Sequence, residues 1–169
     1  MPTVSRYPLP PNDERTALRE GIVKALQAVP TQFSSPINLE GLPVQDLFAL
    51  NTFLGGAIEN QTVATLNSSR SIWDPDNRWA SYRFNRYAES FPDVRLEQEG
   101  SDQPIIGIEL KGWYMLAKEE VPSFRFRASA DAMTIWDLLV VFPWSLSNVI
   151  SGTPVLSPPS LSRLSMQLT

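Results

Sequence analysis

Pro92-Asp93-Val94-Arg95-Leu96-Glu97-Gln98-Glu99, a break at Gly100-Ser101-Asp102, and then Ile105-Ile106-Gly107-Ile108-Glu109-Leu110-Lys111 form the stretch on which the fold turns. Its first half alternates strictly: Val94 and Leu96 fall on one face, Asp93, Arg95 and Glu97 on the other. That period of two predicts a strand over 93–99. Gly100-Ser101-Asp102 reads as a turn. Ile105 to Leu116 reads as a long apolar strand, with Ile106, Ile108 and Leu110 on one face and Gly107, Glu109 and Lys111 on the other. Fifteen residues separate Asp93 from Glu109, enough for a strand, a turn and a return strand. The hairpin so formed sets Asp93 near Glu109, since both lie on the polar sides of their strands, and puts Lys111 beside Glu109.

Outward from this hairpin, the N-terminal side reads as helical. Asn12-Asp13 caps a helix to about Val29, with Leu18, Ile22, Val23, Leu26 and Val29 at helical spacing and Pro30 as its stop. Val44 to Leu66 reads as a second helix, weakened in the middle by Gly55-Gly56. The run from Ala25 through Ser69 contains no Lys or Arg, so this helix is expected inside. Trp79 to Tyr87 alternates aromatic with polar residues and reads as a strand. Asp74-Pro75-Asp76-Asn77 reads as a turn. On the C-terminal side, Ala130 to Trp136 reads as a short helix, Leu138 to Phe142 as a buried strand and Ser145 to Ile150 as a last helical turn. The order predicts an α/β (α+β) domain around a central mixed sheet flanked by helices. Length, 169 residues, fits a single domain, 1–169. Prolines at 2, 8, 10 and 11 make 1–11 an extended arm, and Pro154, Pro158 and Pro159 make 153–169 an irregular tail.

Composition narrows the chemistry. Hydrophobic residues are 43% of the chain, enough for a core. Cysteine and histidine are both absent. That excludes disulfides, Cys/His zinc sites and histidine-based nucleophile activation. Acid–base work falls to Asp, Glu, Lys or Tyr, and a metal must be held by oxygen, as Mg²⁺, Mn²⁺ or Ca²⁺ are. Met1 to Pro11 lacks an apolar leader segment, and the longest apolar run, Leu138 to Pro143, is far below the ~18 residues of a span. The expectation is a cytoplasmic protein with no membrane association. The formal charge of −4 gives no general attraction to nucleic acid.

Two facing carboxylates repel unless protonated or neutralised by a cation. Asp93 and Glu109 therefore form a candidate Mg²⁺ (or Mn²⁺) site, in which the metal would lower the pKa of water and polarise a phosphoryl oxygen. Lys111 is placed to serve that water and to offset transition-state charge. Pro92-Asp93, the spacer and Glu109-x-Lys111 resemble the PD-(D/E)xK signature of restriction-endonuclease-like nucleases. The preceding helix, the three strands and the later strand resemble that fold's core over roughly 43–142, and Gly107 to Trp144 resembles bacterial proteins of this kind. The resemblance implies that Asp93 and Glu109 bind metal, that the Leu110 carbonyl completes the site, that Lys111 assists the water, and that Glu59 adds a carboxylate from the helix. It implies an endonuclease that cleaves DNA to leave a 5′-phosphate. A homodimer is then expected, because a double-strand cut usually takes two sites.

Arg83, Arg86, Arg95, Arg125 and Arg127 are candidate phosphate contacts, with Trp79, Tyr82 and Tyr87 interleaved. Residues 70–127 nonetheless hold 9 basic and 10 acidic side chains, so an ordinary solvated sheet face is an equal reading. Asp131 and Asp137 flank the last strand and suit a second metal or, more simply, cap and strand-end roles. Two other readings stand beside the nuclease. One is an inactive or truncated member of the fold that binds nucleic acid or a protein partner. The other is a structural protein without a site, in which the Asp93 and Glu109 carboxylates would diverge.

Overall fold

A computed structural model describes residues 8–47, 49–116 and 134–163 of the chain. Helix α1 spans Glu14–Leu26, and Asp13 caps it, its carboxylate accepting from the Arg15 N–H at 2.9 Å. Glu14 in its first turn and Lys24 in its last complement the helix dipole. A short α2 (Val29–Gln32) follows, with Pro30 inside its first turn, where a missing N–H costs nothing.

The helix expected over Val44–Leu66 is two helices, α3 (Val44–Leu47) and α4 (Leu50–Ser68). Tight three-residue bonds, Asp46 N–H to Pro43 and Ala49 N–H to Asp46, interrupt the α-helical ladder between them. Helix α4 runs through Gly55-Gly56 without a break. Burial of Leu54, Ile58, Thr62, Thr65 and Leu66 outweighs the weak propensity of the glycines. One turn, α5 (Arg70–Trp73), packs on α1 so closely that a Cβ on Gly21 would sit 2.7 Å from the Trp73 Cα.

The sheet is mixed. Strands β1 (Tyr82–Arg86), β2 (Val94–Gln98) and β3 (Pro104–Tyr114) form an antiparallel meander, and β4 (Leu138–Leu146) lies parallel to β3. Strand β1 starts three residues later than its aromatic pattern predicts. The Asp74 carboxylate takes the N–H groups of Arg78 (2.8 Å) and Trp79 (3.0 Å) and holds that segment in the expected turn. The Asn67 side chain accepts from the Phe84 N–H and donates to its carbonyl, both at 2.9 Å, which closes the outer edge of β1.

Of the C-terminal stretch 153–169 read as an irregular tail, the described residues, up to 163, include two strands, and 164–169 lie outside the described residues. Strand β5 (Pro154–Leu156) pairs with Trp144–Leu146, and β6 (Ser160–Arg163) pairs with Leu138–Val141, both antiparallel to β4. The Ser157 N–H bonds the Pro143 carbonyl between them, so one edge runs along the whole of β4 with a Pro158-Pro159 interruption. Proline is tolerated there because an edge strand has no outer neighbour waiting for its N–H. Nor is Ser145–Ile150 helical: β4 continues to Leu146 and a turn follows. Of the helix read over Ala130–Trp136, Thr134–Trp136 lies outside any helix, and residues 130–133 lie outside the described residues.

Register decides which face is which. Phe84, Val94, Leu96, Ile106, Ile108, Leu110, Leu138, Val140, Phe142 and Trp144 share one face and form the core with α1 and α4. Gly112 belongs to this face, and its missing Cβ leaves room for Asn51 and Ile58 of α4. Asn85, Arg95, Glu97, Gly107, Glu109 and Lys111 occupy the opposite face. Among the described residues, no helix is long and apolar enough to cross a membrane.

Candidate functional site

The site grows from the β2–β3 hairpin. Val94 stands opposite Ile108, so continuing the ladder by one residue brings Asp93 opposite Glu109. Pro92 lies against Gly107: a Cβ at 107 would sit 2.4 Å from the Pro92 Cγ. Proline and glycine thus interlock and hold the residue after the proline where β2 begins. The Asp93 carbonyl accepts from the Tyr87 N–H at 2.8 Å, which ties the same point to the end of β1.

The expected trio meets. Asp93 Oδ2 accepts from the Leu110 N–H at 2.8 Å. Lys111 Nζ is hydrogen-bonded to Glu109 Oε1 and stands 4.0 Å from Asp93 Oδ2. Glu109 is 6% exposed, and its second oxygen, Oε2, is buried without a hydrogen-bond partner among the described residues. Burial pushes the Asp93 carboxyl up to about 6, and the neighbouring Glu109 adds to the rise against the opposing pull of the Leu110 N–H and Lys111. The carboxylates of Asp93 and Glu109 therefore do not diverge: both stand beside the Lys111 ammonium.

This donor set suits a hard cation. It offers two carboxylates against one ammonium in a largely dry place, with one buried oxygen lacking a partner among the described residues. The Leu110 N–H faces Asp93, and a strand residue's carbonyl lies along the same edge as its N–H. Among the described residues, no third acidic side chain joins the pair.

Glu59 is elsewhere. It projects from α4, which covers the other face of the sheet, and its carboxylate takes the Arg86 Nε at 2.7 Å. A helix acid is easily assigned to a site by sequence order, but the face its helix packs against is a tertiary fact. The arginines also divide. Arg83 is exposed, Arg86 is held by Glu59, and Arg95 turns inward, whereas Arg125 and Arg127 lie outside the described residues. Asp137 takes the strand-end role: it accepts from Gly107 (2.7 Å) and Thr134 (2.7 Å) N–H groups, and burial raises its pKa. Asp131 lies outside the described residues. Tyr114 and Trp136 are core side chains, whereas Trp113 is half-buried outside the core.

Sequence reading missed Glu97. The strict alternation assigns it to a solvated face, yet it is 4% exposed and accepts from Asn85 Nδ2 (2.7 Å) and the Tyr87 hydroxyl (2.5 Å). A bulge between Leu96 and Glu97 shifts the register there. The two partners lie 12 and 10 residues away, and no spacing rule points to them. No family model, curated protein or solved structure matches the chain.

Proposed function

We propose that the chain is a Mg²⁺-dependent endonuclease of the restriction-endonuclease-like kind, hydrolysing DNA phosphodiester bonds. One observation carries the reading: Asp93 and Glu109 converge from adjacent strands with Lys111 between them, and a buried Glu109 oxygen is left unpartnered among the described residues. The element order supports it, with helix, antiparallel three-strand meander and a later strand parallel to the third.

Asp93, Glu109 and the Leu110 carbonyl are the residues that would hold Mg²⁺ or Mn²⁺. When bound, the metal supplies electrostatic activation of water and of the scissile phosphate. Lys111, oriented by Glu109, donates to the attacking water and offsets the charge that develops on the phosphate. The water oxygen bonds to phosphorus in line as the P–O3′ bond breaks, leaving a 5′-phosphate and a 3′-hydroxyl. A cut through both strands takes two such sites, which makes a homodimer the working form. The absence of cysteine suits a cytoplasmic setting.

Purified protein with Mg²⁺ should nick plasmid DNA, and Lys111→Ala should lower the rate by orders of magnitude. Activity that survives this change belongs to another nuclease and refutes the assignment. A second reading, an inactive member of the fold that serves as a nucleic-acid-binding or protein-interaction module, draws on the arginines. Arg83 is exposed, whereas Arg86 and Arg95 are engaged within the chain. DNA binding without cleavage at any metal concentration favours that reading.

A further inference from the structure

Arg95 lies on the same sheet face as Glu109, half-buried, with its head group turned onto the chain. Its Nη2 donates to Ser90 Oγ and to the Phe91 carbonyl, each at 3.1 Å, and its Nε is buried. The guanidinium sits 4.1 Å from the centre of the Tyr87 ring, a cation–π contact. The ring is fixed in turn by its hydroxyl on Glu97, 2.5 Å away, and by the Tyr87 N–H on the Asp93 carbonyl. Ser90 and Phe91 lead directly into Pro92 and Asp93. We propose that Arg95 is a positioning residue: stacked on Tyr87, which Glu97 anchors, it clamps the Ser90-Phe91 turn and so sets Asp93 against Glu109.

The clamp explains three otherwise separate features. A carboxylate buried at position 97 has a task, since it stops the Tyr87 ring from rotating away. An arginine spends its charge on a main-chain carbonyl because that carbonyl leads into the residue to be placed. The interlock of Pro92 with Gly107 then fixes the turn from the other side. The function of the clamp rests on the reading of Asp93 as a metal ligand, whereas its existence does not. Removal of a group that orients a ligand typically costs about 10–100-fold in metal affinity.

The test uses the full chain and two readouts. Exchange of the Leu110 amide, which donates to Asp93, reports where that carboxylate sits, and calorimetry with Mn²⁺ reports affinity. Arg95→Gln should speed Leu110 exchange at least tenfold and raise the Mn²⁺ Kd about 10–100-fold, with the β4 amide of Val140 unchanged. Wild-type exchange and Mn²⁺ affinity alongside weakened DNA binding would make Arg95 a phosphate contact and overturn the proposal. If Arg95→Gln loosens Val140 as well, Tyr87→Phe decides, since it keeps the ring and removes only the hydroxyl on Glu97. A severalfold faster Leu110 exchange supports the clamp, and no change overturns it. A wild-type chain that binds no Mn²⁺ refutes the metal reading, and Leu110 exchange still decides the clamp.

Discussion

Gly107→Ala isolates the contact that places Asp93. The added Cβ would lie 2.4 Å from the Pro92 Cγ, 2.8 Å from the Asp137 Oδ1 and 3.2 Å from its Cγ. Neither neighbour is the loose end of a flexible side chain. Pro92 is a ring in a buried turn, and Asp137 is held by two N–H groups, from Gly107 and Thr134. Relief therefore requires the turn or the start of β4 to move. Overpacking of this kind costs about 1–3 kcal/mol. For a chain of this size that lowers Tm by roughly 2–12 °C, at about 2–4 °C per kcal/mol. Thermal and urea unfolding measure the loss, with Gly55→Ala as the control. Nothing lies within 4 Å of a Cβ there, so this helical substitution should stabilise by about 0.5–1 kcal/mol. Truncating Pro92 to Ala in the Gly107→Ala background should recover part of the loss, because the Cγ in the closest clash is gone. Gly107→Ala within about 0.5 kcal/mol of wild type, with Mn²⁺ affinity intact, would refute the interlock as the device that sets Asp93.

Other outcomes follow from the same geometry. Asp93 binds its proton more tightly in the folded chain than at the ordinary 3.8, so its contribution is largest at low pH and is lost as pH rises from about 4 to about 6. Asp93→Asn should remove this slope and raise metal-free stability at pH 7; parallel pH–stability curves for the two proteins would count against the raised carboxyl. Mn²⁺ competes with that proton, so its affinity should fall as pH drops below about 6, a trend that calorimetry across pH reads directly. Asn67→Ala removes two hydrogen bonds to Phe84 and opens the β1 edge, which should cost about 1–3 kcal/mol and promote concentration-dependent association seen by light scattering. Arg83→Gln, at an exposed position, should leave stability within about 0.5 kcal/mol and weaken DNA binding only if that sheet face meets DNA.

Much of the site was legible because it is a property of strand phase. Alternation separates Ile106, Ile108 and Leu110 from Gly107, Glu109 and Lys111, and the turn at Gly100-Ser101-Asp102 returns the chain so that Asp93 faces Glu109. Other features depend on partners that spacing does not encode. Glu59 follows the expected order but sits on the face its helix covers, 27 residues from the Arg86 that holds it. Glu97 keeps the face its alternation assigns but is buried there under Asn85 and Tyr87, partners 12 and 10 residues away, while a bulge shifts its pairing with β3. Pro154, Pro158 and Pro159 read as an irregular tail until β4 appears beside them.

The sequence by itself determined the two helical segments before the hairpin, the polar and apolar faces of β2 and β3, and the meeting of Asp93, Glu109 and Lys111. Each of these follows from periods of two or 3.6 acting over a few neighbours. Tertiary structure alone decided which arginines are spent inside, which acid stays outside the site, and that the C-terminal prolines line a sheet edge. Those outcomes depend on contacts between segments far apart in the chain, where burial and hydrogen-bond satisfaction outweigh local preference.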